Sequence, residues 1–288
     1  MINQKLTEDS LKAWIGNTQC SEDTIEFGQV KKMLATLDEK LILKTGYPLP
    51  ALWHWLYFLE SSANSKLGND GHTNLGEFLP PIPLPCRMWA GGRFSFLEPI
   101  KIGEILKKLS TVKDIKIKHG KNGPLCFITV LHELIDRNGQ LRLSEEHDIV
   151  YREKPVGLRQ ISKPLIFPEE AEWTKIITPT PVMLFRYSAL TFNSHRIHYD
   201  RKYCQEVEGY ENLIFHGPLT ATLLVSLAVK KRPNRALSNF NFRSTAPLFD
   251  NSPFKIHGKQ NATDENKITL WAEGPSKGLA MEASATFY

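Results

Sequence analysis

The chain is poor in cysteine: Cys20, Cys86, Cys126 and Cys204 are the four in 288 residues, and they stand far apart with no Cys-x-x-Cys pair. That argues against a zinc ribbon or a dithiol redox motif and leaves reduced thiols in a cytoplasmic protein as the expectation. Long apolar runs are also missing. The most apolar segment, Leu219 to Val229, is far shorter than the roughly 20 residues of a membrane-spanning helix, so it reads as a buried helix and no membrane partner is expected. The N-terminus carries Glu8 and Asp9 where a secretory signal would need an apolar core, so export is not expected either. Charge of one sign is weak, at a net +5 with basic residues spread along the chain. Nucleic acid is therefore a poor partner, whereas a phosphate-bearing small molecule suits the balance. Gly91-Gly92 has none of the spacing of a dinucleotide-binding loop.

What is present is the composition of a folded protein, 41% hydrophobic and 23% charged, long enough for two domains. Residues 11–37 carry amphipathic helical stretches, with Ser21 and Asp23 as caps before Val30, Met33, Leu34 and Leu37. The run from Tyr47 to Glu60 puts prolines ahead of aromatics that surround much of a helix, so a buried helix is expected there. Residues 61–85 are rich in Gly, Pro, Asn and Ser and read as a long loop, and loops of that length commonly have a task. Strands are expected at 93–100, 105–119, 125–136 and 141–152, with Asn122-Gly123 and Asn138-Gly139 as hairpin turns.

A Pro-rich connector then leads to a second half with the same plan. An extended stretch runs through Phe185, a polar segment covers 193–200, a helix 218–230, and strands lie near 237–247, 254–260, 267–273 and 279–287. The expected division is residues 1–153, a linker at 154–170, and residues 171–288. A sheet with one apolar face can cover it with a single long helix, so the expected fold is α+β: two antiparallel sheets, each wrapped around a central helix and set side by side as a pseudo-dimer, the double hotdog.

The densest polar cluster is Thr191-Phe-Asn-Ser-His-Arg-Ile-His-Tyr-Asp200, followed by His216-Gly-Pro218 at the start of the apolar helix. Pro218 suits a first helical turn, and Gly217 lets a ligand approach backbone N–H groups at the positive end of the helix dipole. That makes Gly217 an oxyanion-hole candidate. His198 is the candidate acid–base group, because imidazole titrates near neutrality. Asn193 can position water or a carbonyl but cannot take a proton.

The motif Asn193-Ser-His-Arg-Ile-His198 followed by His216-Gly217 resembles that of the MaoC-like hydratases, with Asn193 where that family has an acid. Pro50-Ala-Leu-Trp-His-Trp-Leu-Tyr57, Phe78 to Gly92, Glu145 to Arg152 and Tyr187 to Asp200 are similar to the two-hotdog branch containing mesaconyl-C4-CoA and itaconyl-CoA hydratases and type 2 hydroxyacyl-thioester dehydratases. The resemblance runs from about Tyr47 to the C-terminus. It implies a hydro-lyase acting on an α,β-unsaturated acyl-CoA, a short branched dicarboxylyl ester above all. One active site per chain follows, without metal or redox cofactor, and the first half shapes the substrate pocket. His216, Arg87, Arg93 and Tyr199 are the accompanying substrate-binding candidates, and a homodimer is compatible. A hotdog acyl-CoA thioesterase and a non-enzymatic acyl-thioester-binding protein are the rival readings. A metal site built from His195, His198, His216 and Asp200 is disfavoured, and Glu145, Glu146 and Asp148 read as strand surface, one of them able to replace the missing acid.

Overall fold

The computed structural model describes residues 8–120, 123–154 and 165–288. The first half contains α1 (Glu8–Lys12), β1 (Thr18–Thr24) and α2 (Phe27–Leu37), 3-10 turns at Trp53–Leu56 and Asn64–Lys66, then β2 (Cys86–Phe96), β3 (Ile105–Gly120), β4 (Gly123–Asp136) and β5 (Leu141–Arg152). The second half contains β6 (Trp173–Ile177), α3 (Pro181–Leu190), a 3-10 turn at Arg196–His198, α4 (Arg201–Glu206), α5 (Gly217–Lys231), β7 (Leu237–Ser244), β8 (Phe254–Gln260), β9 (Lys267–Glu273) and β10 (Leu279–Phe287). The strands form one ten-stranded sheet in the order β1-β3-β4-β5-β2-β7-β10-β9-β8-β6, and its pairings are antiparallel. Read inward from either edge, the two halves have the same order, and they meet where β2 pairs with β7. The expected pseudo-dimer with a continuous sheet is therefore observed.

Period-two burial drives the strands to one register: Cys126, Ile128 and Val130 of β4 and Phe240 and Phe242 of β7 face inward while their neighbours are more exposed. α5 crosses β7, β8, β9 and β10 and buries Leu219 through Val225 without a break, which is why the segment is apolar nearly all round. One core cluster runs through both halves, and a smaller one lies where Leu75, Phe78, Leu79, Ile82 and Leu84 of the long loop cover the far ends of β3 and β4.

Four expectations change. Residues 18–24 are not helical but pair as β1 with β3, and Ser21 and Asp23 cap nothing; Asp23 instead accepts from Thr24 N and Phe58 N. The run from Tyr47 to Glu60 forms only the turn Trp53–Leu56, bracketed by Leu52 and Phe58 at positive φ. Its polar tips need partners that a straight helix would not reach: Trp55 Nε1 and His54 Nε2 engage Glu145, and Tyr57 Oη donates to Glu26 O. Leu52, Trp53, Leu56, Tyr57 and Phe58 are buried as expected, Tyr47 is exposed, and the described residues of the first half contain no central helix. Residues 181–190 form α3 rather than an extended stretch, started by Thr180 accepting from Met183 N and by Pro181 in the first turn. The first meander strand begins at Cys86, directly after Pro85, so Arg87 sits on a strand. Asn138-Gly139 makes its turn with Gly139 at φ 81°. Asn122 and residues 155–164 of the connector lie outside the described residues.

The seam between the halves depends on Gly91, where a Cβ would fall 2.6 Å from the Phe242 carbonyl oxygen. Gly91→Ala should cost about 1–3 kcal/mol through overpacking, read as a lower urea midpoint. Gly28→Ala in α2, where nothing lies within 4 Å of the new Cβ, should cause no loss. Equal midpoints for Gly91→Ala and the wild type would contradict the close β2–β7 packing.

Candidate active site

α3 ends at Leu190, and Phe192, at φ 48°, turns the chain into the polar segment. Asn193 is fixed from both sides. Its backbone N–H donates to Ser188 O at 2.8 Å, and its Oδ1 accepts from His195 N at 3.0 Å. Asn193 also lines the cavity. His198 is buried in the following 3-10 turn and donates from Nδ1 to Ile214 O at 2.8 Å. A carbonyl can only accept, so the neutral imidazole carries its proton on Nδ1 and presents a bare lone pair at Nε2. Nε2 has no hydrogen-bond partner among the described residues, and His198 lines the cavity. Burial depresses its pKa to about 4, with the charge of His72 adding to the effect and the bond to Ile214 opposing it.

Ile214 also ties this turn to the apolar helix. Its N–H donates to Ile197 O at 3.0 Å, and Phe215 N donates to Leu248 O at 2.8 Å just before α5 begins. Gly217 opens α5 and lines the same cavity; as a first-turn residue its N–H has no partner inside the helix. The imidazole of His198 and the start of the apolar helix thus converge on one space. The cavity has a volume of about 1280 Å³ and reaches from His72, Arg87 and Trp89 of the first half to Ser244, Phe249 and Met281 of the second.

The long loop of the first half crosses to this site, and its contribution is not evident from the sequence. Arg196 N donates to Asp70 O at 2.9 Å, Arg196 Nη1 to Asn69 O at 3.0 Å, and Ser194 Oγ to Gly71 O. Gly71, at φ 89°, lies so close that a Cβ there would be 1.9 Å from the Ser194 carbonyl oxygen, so only glycine fits. The docking brings His72 to a ring-centroid distance of 4.1 Å from His195, whose ring lies 5.6 Å from that of His198. Asp70 Oδ2 accepts from His72 Nδ1 at 2.9 Å. Burial, then the Arg87 charge, lowers the His72 pKa to about 4 against the pull of Asp70. His195 is also held neutral, by burial and by the charges of His72, His198 and Arg87.

Of the expected site residues, His198, Asn193, Gly217 and Arg87 line the cavity, together with His195. His216 does not. It is fully buried beneath His198, stacked at 3.7 Å and 17°, with Nε2 bonded to Ser188 Oγ at 2.9 Å, so it backs the His198 ring from outside the cavity lining. Tyr199 is half exposed and donates to Ser194 O at 3.0 Å, outside the cavity lining. Arg93 points to the other face of β2, because the bulge between Trp89 and Gly91 shifts the alternation by one residue, and it pairs with Glu146 and Asp148. Asp200 pairs with Arg196 and caps α4, so it is not gathered with His195, His198 and His216.

Asp70, His72 and His195 have ligand-type atoms within 4.8 Å of one another. The guanidinium of Arg87, whose charge reaches Asp70, His72 and His195, disfavours a cation there. Glu145, read as strand surface, is fully buried instead. It accepts from His54 Nε2 at 2.8 Å and Trp55 Nε1 at 3.2 Å, with His147 Nε2 at 3.1 Å. Burial alone would raise its carboxyl, but His147 and His54 hold it well below the usual range. Its oxygens are engaged, and Glu146 and Asp148 face Arg93, so this acidic run offers no proton acceptor in the cavity.

The family model for hydroxyacyl-thioester dehydratase type 2 matches residues 52–250. A mesaconyl-C(4)-CoA hydratase of Chloroflexus aurantiacus is 43% identical over 273 residues, 94% of this chain and 96% of that one. The mitochondrial hydroxyacyl-thioester dehydratase type 2 of Schizosaccharomyces pombe is 29% identical over 259 residues, 80% of this chain and 82% of that one. Among solved structures, a MaoC-like dehydratase superposes with a TM-score of 0.71 at 13% identity, covering 96% of this chain and 99% of that one. A Mycobacterium tuberculosis protein with a double hotdog fold superposes with a TM-score of 0.57 at 13% identity, covering 95% and 96%. The last two likenesses concern the fold.

Burying His72, His195, His198 and His216 as neutral rings has a measurable consequence. Their folded values lie below the ordinary 6.5, so below that pH the unfolded chain binds more protons than the folded one. The stability they contribute is complete above about 6.5 and declines as pH falls toward 4, by up to about 1.4 kcal/mol per pH unit for each group. The urea midpoint should be level from pH 7 to 8 and drop steeply from 6.5 to 4.5. A midpoint unchanged between pH 7 and 5 would contradict neutral burial.

Proposed function

The chain belongs to the hydroxyacyl-thioester dehydratase type 2 family, and from that premise we propose that it is a hydro-lyase adding water reversibly to an α,β-unsaturated acyl-CoA. The observation that carries this reading is that His198, with its bare Nε2, and Gly217, whose N–H has no partner among the described residues, line one cavity. Hydration needs a base for the water that attacks the β-carbon and a donor for the oxyanion that forms on the thioester carbonyl. His198 takes a proton from water as the C–O bond forms and the C=C electrons move onto the thioester oxygen. The Gly217 N–H holds that oxygen at the positive end of α5, and the imidazolium returns the proton to the α-carbon. The Asn193 NH2 positions water or carbonyl, and His216 keeps the His198 ring in place. Every step is assigned to this chain's own residues, with CoA present as part of the substrate.

For the acyl group we propose a short branched dicarboxylic acid of the mesaconyl-C4 or itaconyl type. Where the β-carbon carries the second carboxylate, that group lies one bond from the carbon under attack, so its partner has to line the reacting end of the cavity. Arg87 does, close enough for its charge to depress His72, and a guanidinium suits a carboxylate. No helix among the described residues is long and apolar enough to cross a membrane. The four cysteines are free, which supports a reducing compartment, the cytoplasm in our reading.

The test is loss of enoyl absorbance across a panel of unsaturated CoA thioesters, with free thiol followed in parallel. Wild type should remove the double bond without releasing CoA-SH, and His198→Ala should lower kcat by about 10³-fold with the fold intact. Near-normal turnover by that variant, or thiol release as the main reaction, would overturn the reading. Arg87→Met should raise KM for a dicarboxylyl thioester about 10-fold or more while leaving crotonyl-CoA within about threefold. Equal effects on both substrates would remove the carboxylate assignment.

A further inference from the structure

The reaction proposed above leaves one requirement unmet at position 193. A water held for attack has two O–H bonds to satisfy while a lone pair points at the β-carbon, and a carboxylate at this position of the motif would accept one of them. Here one lone pair of the Asn193 oxygen is already taken by the His195 N–H, and a neutral amide is a weaker acceptor than a carboxylate and takes no proton. Glu145 is buried under His54 and Trp55, and Glu146 and Asp148 face away with Arg93. A stronger second acceptor has to come from elsewhere.

The loop of the first half brings one. Asp70 Oδ2 fixes the proton of His72 on Nδ1 at 2.9 Å, as Ile214 O does for His198 at 2.8 Å, and each ring is left with a bare Nε2 lone pair. His72 Nε2 has no hydrogen-bond partner among the described residues, and His72, His195 and His198 line the same cavity as a row of rings. Its docking is extensive for a loop residue: Gly71 packs against the Ser194 carbonyl, and Arg196 binds the carbonyls of Asn69 and Asp70. A loop needed only to cover the core at Phe78 to Leu84 would not require a carboxylate–imidazole pair upstream of it, at the motif.

We propose, on the hydro-lyase reading, that His72, oriented by Asp70, is a second catalytic residue of the reaction and replaces the carboxylate that position 193 lacks. One O–H of the water donates to His198 Nε2 and the other to His72 Nε2. As the oxygen bonds to the β-carbon, the first O–H breaks, its proton passes to His198 and then to the α-carbon. The second O–H stays intact, held by His72, and becomes the hydroxyl of the product. Water is consumed whole, and no other reactant is needed. Asp70 acts through His72 and is a positioning residue. The charged and titratable groups that face His72 are Asp70 on its own loop, Arg87 on β2, and His195 and His198 on the motif segment.

The experiment compares wild type, His72→Ala, Asp70→Asn and the double variant His72→Ala/Asn193→Asp, with circular dichroism as a check on folding. His72→Ala should lower kcat about 100-fold or more with KM within about threefold, because the lost interaction is to the reacting water. Restoring a carboxylate at position 193 should return at least about 10-fold of that loss, which a purely structural role for His72 would not allow. Asp70→Asn should lower kcat about 10-fold and carries the test if His72→Ala does not fold. A His72→Ala rate within about threefold of wild type, no recovery in the double variant, or an undiminished Asp70→Asn overturns the proposal. The wild-type rate separates the two readings. Wild-type turnover with an unaffected His72→Ala sinks this inference alone, whereas a wild type that hydrates no thioester sinks the hydro-lyase reading beneath it.

Discussion

The hydrogen bond from His198 Nδ1 to the Ile214 carbonyl is the interaction on which the site depends. It does two things at once. It fixes the tautomer, so that Nε2 faces the cavity without a proton, and it fastens the turn that carries His198 to the short segment leading into α5. Through Ile214 N to Ile197 O and Phe215 N to Leu248 O, the same segment is tied to the motif turn and to the connection between β7 and β8. The proposed base, His198, and the proposed oxyanion donor, Gly217, are therefore held by one piece of backbone, an arrangement that preorganises both groups. His216, stacked beneath His198 and bonded to Ser188, removes the ring's freedom to tilt.

The two halves share a strand order but not a job. In the second half α5 fills the sheet and supplies a helix N-terminus to the cavity. In the first half the corresponding run has collapsed to the turn at Trp53–Leu56, and its aromatic side chains are anchored around Glu145. Residues 61–85, with one 3-10 turn at Asn64–Lys66, run to the motif, where they place Asp70 and His72 and cover part of the outer sheet. Among the described residues, the absence of one central helix is thus coupled to the completion of the proposed active site. Pseudo-symmetry survives in the sheet, because β2 and β7 must pair, and is lost in the layer that covers it.

Much of this was legible in the residues, and the reasons are specific. The β8, β9 and β10 boundaries follow alternation bounded by turn residues, and α5 follows a continuous apolar run opened by Gly217-Pro218. The motif spacing placed His198 and Gly217 together because both are local to one short connection. Long-range effects were harder to read. Thr18–Thr24 becomes a strand only because β3 is there to pair with it. The Trp53 run looks helical until its polar tips find Glu145 and Glu26 and the Phe58 backbone N–H finds Asp23. Thr180-Pro181, by contrast, was a readable helix start that composition alone concealed. Arg93 was separated from Arg87 by strand alternation around the Trp89/Gly91 bulge. His72 carried no motif at all; only its docking through Gly71 onto Ser194 reveals it.

The physical claim common to all of this is that two neutral imidazoles present unprotonated Nε2 atoms to one cavity. Nitrogen-15 NMR of the histidine rings in the wild-type protein reads that directly. His198 and His72 should both be neutral at pH 7 with the proton on Nδ1, and should remain so down to about pH 5. A proton on Nε2 of His198, or an imidazolium at position 198 at pH 7, would contradict the account.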